Sequence, residues 1–143
     1  MITDAIVQWL IGQGAVTAAV GQNVFPALLL RGAALPAIEL ELVSHETGKT
    51  LQGPSGSNVA HYTIHCFAAT YGAAEALART VYGLLNGFSG TFAGGSGGSA
   101  ATPATAETCW VEDVRDGIYA SAPVDALRLF WKQLDVEIRY IGG

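Results

Sequence analysis

Near the C-terminus, Leu134, Val136, Ile138 and Tyr140 alternate without a break against Gln133, Asp135, Glu137 and Arg139. A period of two puts successive side chains on opposite faces of an extended strand, so this segment needs a core on one side and water on the other. The same pattern runs from Ile38 to Val43, with Ile38, Leu40 and Leu42 on one face and Glu39 and Glu41 on the other. Any fold of this chain must therefore cover one face of a sheet.

Helices supply the cover. From Tyr71 to Asn86, Ala74, Leu77, Ala78, Val81, Leu84 and Leu85 recur at spacings of three and four, the apolar stripe of an amphipathic helix. Thr70 stands at its N-cap position, and Gly87 stands where a helix commonly ends in a left-handed residue. Asp4 to Ile11 places Ala5, Ile6, Trp9 and Leu10 at helical spacing, with Thr3 or Asp4 able to cap the first turn. Gly12, Gly14 and Gly21 then leave Ala15 to Val20 one or two further turns at most. Leu35-Pro36 launches the first strand, His61 to Phe67 reads as the second, Thr108 to Val114 as the third, and about Leu129 to Ile141 as the last.

Two segments are poor in apolar groups. Gly48 to Asn58, with three glycines and Pro54, predicts a long turn between antiparallel neighbours. Ser89 to Ala106 contains Gly94-Gly95-Ser96-Gly97-Gly98 and only Phe92 as a large apolar residue, which predicts a mobile loop. The order helix, two strands, helix, two strands predicts an α+β fold: a four-stranded, mainly antiparallel sheet with two main helices packed on one face. A chain of 143 residues, half of them apolar, suits one domain over residues 1–143.

Composition narrows function. A formal net charge of −5 with only seven Lys and Arg provides no basic surface for sequence-reading nucleic-acid binding. The opening Met1-Ile2-Thr3-Asp4 is unlike a secretory signal, which predicts a chain made in the cytoplasm. The most apolar region, Val24 to Ile38, is interrupted by Pro26, Arg31 and Pro36 and falls short of a membrane span. Cys66 and Cys109, both in strand-like runs, read as buried free thiols.

No constellation of catalytic or cofactor-binding residues emerges. Gly48-Lys49-Thr50 imitates the end of a phosphate-binding loop, but Val43 stands where the motif needs a glycine. His61 and His65 share a strand face with α-carbons about 13 Å apart, too far to hold one metal ion. His45, from another segment, could approach one of them. Glu112, Asp113 and Asp116 form an acidic cluster that reads as a solvated strand end, the enzymatic alternative being a small metal-dependent enzyme built on them. Gly53-Pro54-Ser55-Gly56 lacks the spacing of a nucleophile elbow. Trp9, Trp110 and Trp131 read as core or interface anchors.

The succession of segments carries more than any one of them. Leu35-Pro36-Ala37-Ile38, the turn Gly53-Pro54-Ser55-Gly56, the run Tyr62 to Tyr71 with Ala76-Leu77-Ala78, and Leu85-Asn86-Gly87-Phe88 resemble the tail-completion (tail-terminator) proteins of long-tailed bacteriophages. Glu112 to Asp116, Tyr119 and Leu134-Asp135-Val136-Glu137-Ile138 are similar to the same family's C-terminal half. The Gly/Ser-rich stretch from Ala93 to Ala106 is longer than the family's usual form.

The resemblance implies a non-enzymatic virion protein without cofactor or metal. It implies a homo-oligomeric ring, usually a hexamer, at the head-proximal end of the tail, touching the tail-tube protein on one side and the head-tail connector on the other. A different connector or adaptor ring of the same particle is the neighbouring alternative. In such a ring, Glu39, Glu41, Asp135 and Glu137 are candidates to line the channel, because carboxylates repel phosphate and let DNA pass without specific binding.

Overall fold

The computed structural model describes residues 2–21, 24–26, 36–50, 53–92, 104–120 and 128–142. Helices α1 (Thr3–Ile11) and α2 (Gly14–Val20) lead to strands β1 (Val24–Pro26), β2 (Ala37–Thr50) and β3 (Gly53–Ala68). Helix α3 (Tyr71–Leu85), then β4 (Gly90–Phe92), β5 (Ala104–Ala120) and β6 (Arg128–Gly142), complete the order.

The fold is α+β, as the patterning requires, but among the described residues the sheet has six strands in the order β1-β2-β3-β6-β5-β4. The two long hairpins β2-β3 and β5-β6 meet through the antiparallel pair β3-β6. That corrects the expectation of four strands and two main helices. The extra strands, β1 and β4, have three residues each and pair at the margins, β1 in parallel with β2. So short an edge strand shows no periodicity, and only its partner makes it a strand. The third helix, α2, exists because Val16 and Val20 reach the core one turn apart.

The helices pack on one face of the sheet, α3 over β3, β6 and β5, and α1 beside β1, β2 and β4. Between them lies the core, with Ile38 and Leu40 of β2, Tyr62, Ile64 and Cys66 of β3, and Leu134, Val136, Ile138 and Tyr140 of β6. From α3 come Leu77, Ala78, Val81 and Leu85, the stripe read from the sequence. Thr70 caps α3 as expected, accepting a hydrogen bond from the Ala73 amide at 3.2 Å. Gly87 takes φ +78°, the left-handed conformation that glycine adopts without steric cost. Cys66 and Cys109 are buried free thiols, as expected.

Three further expectations are corrected. Helix α1 has no side-chain cap, because its N-cap position falls on Ile2, which carries no acceptor; Thr3, the first helical residue, shares a 2.7 Å hydrogen bond with the Tyr62 hydroxyl. The long turn from Gly48 to Asn58 is mostly ladder, with Lys49 opposite Pro54 and Thr50 opposite Gly53. Backbone pairing holds these small residues in strands although they offer little apolar area. The segment Ser89 to Ala106 is likewise structured at both ends, where Gly90, Thr91 and Phe92 pair with Ala106, Thr105 and Ala104. Phe92 is fully buried, its ring 5.2 Å from Trp9 and 5.1 Å from Phe88. One large apolar side chain with a place in the core gains about 2 kcal/mol from burial, enough to help pin a short strand. Residues 93–103 of that segment lie outside the described residues.

Candidate functional site: the helix-free face of the sheet

The opposite face of the sheet carries no helix among the described residues, and the register of its strands arranges its side chains in cross-strand rows. One row runs Glu41, Thr63, Asp135, Asp113; the next runs Glu39, His65, Gln133, Arg115. A third runs Ser44, His61, Glu137, Trp110. All four carboxylates singled out in the sequence, Glu39, Glu41, Asp135 and Glu137, therefore share this face.

Around them the structure gathers residues that sequence reasoning left out. Asp135 accepts hydrogen bonds from Thr63 at 3.1 Å, Gln133 at 3.2 Å and Arg115 at 2.8 Å. Burial works against its charge, but these donors outweigh burial and hold its pKa below the ordinary carboxylate value. Arg115 also meets Asp113 at 3.2 Å, and Arg139 meets Glu137 at 3.1 Å. Parity in β3 was the available signal for Thr63, since residues 61, 63 and 65 alternate with the buried Tyr62 and Ile64.

Glu112 was harder to place. The pairing register shifts between Val111 and Asp113, so Glu112 is the extra residue of a bulge, and a bulge re-aims its side chain. It shares a hydrogen bond with the Glu137 carboxyl, which together with desolvation raises its pKa above the ordinary value. Glu112, Asp113 and Asp116 consequently do not form the single acidic cluster their spacing suggested. Asp116 lies on the helix side and accepts a hydrogen bond from the Tyr71 hydroxyl at 3.0 Å.

His61 and His65 go to different groups, as their separation demanded. His61 joins Glu112 and Glu137, and His65 joins Glu39 and Glu41, each trio with ligand atoms within 4.8 Å of one another. Such trios have the reach to hold a divalent cation, and partly exposed carboxylates on neighbouring strands adopt the same spacing without one. His45 meets neither histidine. A second bulge at Val43 turns it to the helix side, where its Nε2 lies 2.6 Å from the Tyr140 hydroxyl.

A shallow depression of about 430 Å³ crosses the middle of the face, lined by His61, Thr63, Glu112, Arg115, Gln133 and Asp135 among others. Of its carboxylates, Asp135 is held ionised by its donors, whereas the hydrogen bond between Glu112 and Glu137 favours the protonated form of Glu112. At the margins the face is apolar: Trp110 is 54% exposed, Val43 62% and Ile141 48%. Of the other tryptophans, Trp9 is packed against Phe88 at 4.8 Å, and Trp131 meets His65 edge-on at 5.8 Å.

Comparison with known proteins places the fold and the family. The chain resembles one from a solved structure described as the virion of a native gene transfer agent (GTA) particle, at a TM-score of 0.63 and 18% identity. The match covers 99% of this chain and 95% of that one, a likeness of fold over their whole lengths. No curated protein matches the sequence. The profile of the family described as tail completion protein gp17 matches residues 4–117, most of the chain. The chain therefore belongs to the tail completion protein gp17 family, structural proteins of the phage tail.

Proposed function

We propose that this chain forms a closed ring, six subunits in the family's usual manner, that ends the tail tube and joins it to the head connector, with the helix-free face of the sheet turned toward the central channel. The observation that carries the reading is the gathering of Glu39, Glu41, Asp135 and Glu137 on one helix-free face of a tail completion protein.

The physical reason lies in what a passing genome demands of its channel. A phosphate backbone binds Lys and Arg by releasing condensed counterions, and a wall of carboxylates gives it nothing to release. Arg115 and Arg139 are the described cations of this face, and both are already engaged by carboxylates. The field over the face is thus net negative, and it repels DNA over a Debye length of about 8 Å at physiological salt.

Electron microscopy of intact particles tests the reading. The expected result is a closed ring of this chain at the head-proximal end of the tail, with at least two of the four carboxylates facing the lumen. A position at the tail tip, or absence from particles, removes the ring function. All four carboxylates on the outer wall or in subunit contacts removes the channel role alone.

A further inference from the structure

Among the described residues, two strands of the sheet have an open side. There β1 pairs with β2 at Ile38, Glu39 and Leu40, and β4 pairs with β5 from Ala104 to Ala106. Farther along β5 the turn after α3 stands in for a strand: the Gly87 amide donates to the Cys109 carbonyl at 2.7 Å, and the Val111 amide donates to the Asn86 side chain at 3.1 Å. Past that point the Val114 amide has only the neighbouring Asp113 carboxylate, at 2.9 Å. Among the described residues, then, β2 from Glu41 to Thr50 and β5 from Glu112 to Ala120 present backbone edges that no strand pairs. Open edges of this length are templates for another strand, and proteins that must remain monomeric shorten or cover them.

We infer that these two edges join copies of this chain head to tail, the β2 edge of one subunit adding to the β5 edge of the next as an antiparallel strand pair. The inference rests on the ring reading above and specifies how the ring closes. Three observations converge on a second copy as the occupant.

The first is direction. β2-β3, β3-β6 and β6-β5 are all antiparallel, so the four long strands alternate and β2 runs opposite to β5. A second copy placed edge to edge continues the alternation without inversion, which is the heterologous contact that closes a ring.

The second is stagger. The row Glu41, Thr63, Asp135, Asp113 divides the sheet, with the open part of β2 on one side of it and the open part of β5 on the other. Joining them displaces each copy along the strand direction, as tilted strands in a closed sheet require.

The third is apolar exposure at the edges. Beside the open part of β5, Trp110 is exposed on the helix-free face, while Tyr82 and Val114 are exposed on the helix face around a small groove of about 190 Å³. Val43, the bulge residue beside the open part of β2, is more exposed still. In strand addition, main-chain hydrogen bonds provide affinity, and flanking apolar contacts on both faces fix the partner.

Particles assembled from a mixture of Glu46→Cys and Asp113→Cys chains test the contact, because both positions lie on the helix-free face, one in each open stretch. A short flexible bismaleimide is expected to link the two chain types in mixed particles, and to give no linked pair in particles carrying either variant alone. Val114→Pro removes the outward amide that the β6 ladder does not use, a change edge strands tolerate. The purified variant is expected to melt as a folded chain yet to be lost from particles. Closed rings with no mixed cross-links, and with Val114→Pro incorporated normally, would overturn the edge contact while leaving the ring intact. No closed ring in particles would overturn both.

Discussion

At the scale of single residues, the two thiols show most directly how burial sets chemistry. Burial pushes both Cys66 and Cys109 from an ordinary 9.0 up to about 12, because the thiolate loses its hydration in the core. A raised acid pKa favours the neutral form in the folded state. The stability this contributes is complete below pH 9 and is lost as pH climbs from about 9 toward 12. Each thiol should cost about 1.4 kcal/mol of stability per pH unit in that window. Burial raises the Tyr140 pKa as well, so the tyrosine adds to the loss at the upper end. Denaturant melts of the natural chain and of Cys66→Ala from about pH 8.5, where an exposed thiol ionises, to about pH 10.5 are expected to show a shallower pH slope in the variant. Equal slopes would mean that Cys66 is solvated.

At the scale of elements, the margins of the sheet are held by very few side chains. β4 has three residues, and Phe92 is the one of them that reaches the core, against Trp9 and Phe88. Phe92→Ala should cost about 3–5 kcal/mol, the range for emptying a buried aromatic site. Hydrogen exchange should show the loss concentrated in β4 and the start of β5, with α3 and the β3-β6 pair retaining protection. A loss spread evenly over the sheet would show that β4 is not a separable margin. The helix α3 needs no such anchor, since its cap at Thr70 and its apolar stripe agree with each other along its whole length.

At the scale of the whole molecule, the division of faces connects fold to proposed function. Helices take one side of the sheet, so charge that cannot be buried collects on the other, and a ring built by edge addition would present that side as one continuous wall. Charge reversal of Glu39 and Glu137 to Lys should place new cations against the passing duplex. DNA ejection from particles is expected to slow, and the retardation to weaken as salt rises, the sign of counterion release. Ejection unchanged at low salt would place these two residues outside the channel.

The alternation in β2 and β6, the stripe of α3, its cap and the left-handed Gly87 were all legible in the sequence, because each follows from local spacing and local backbone chemistry. So was the sharing of one face by Glu39, Glu41, Asp135 and Glu137, given only that both strands bury their apolar side in one core. Tertiary structure decided what depends on partners distant in the chain. Val24–Pro26 and Gly90–Phe92 became strands only against β2 and β5. Gly53 to Asn58 became ladder only because β2 runs alongside it. The bulges at Val43 and Glu112 sent His45 to the core side and Glu112 to Glu137, since an extra residue shifts pairing in a way that no one-strand pattern records. Periodicity is a property of one segment, and register is a property of two.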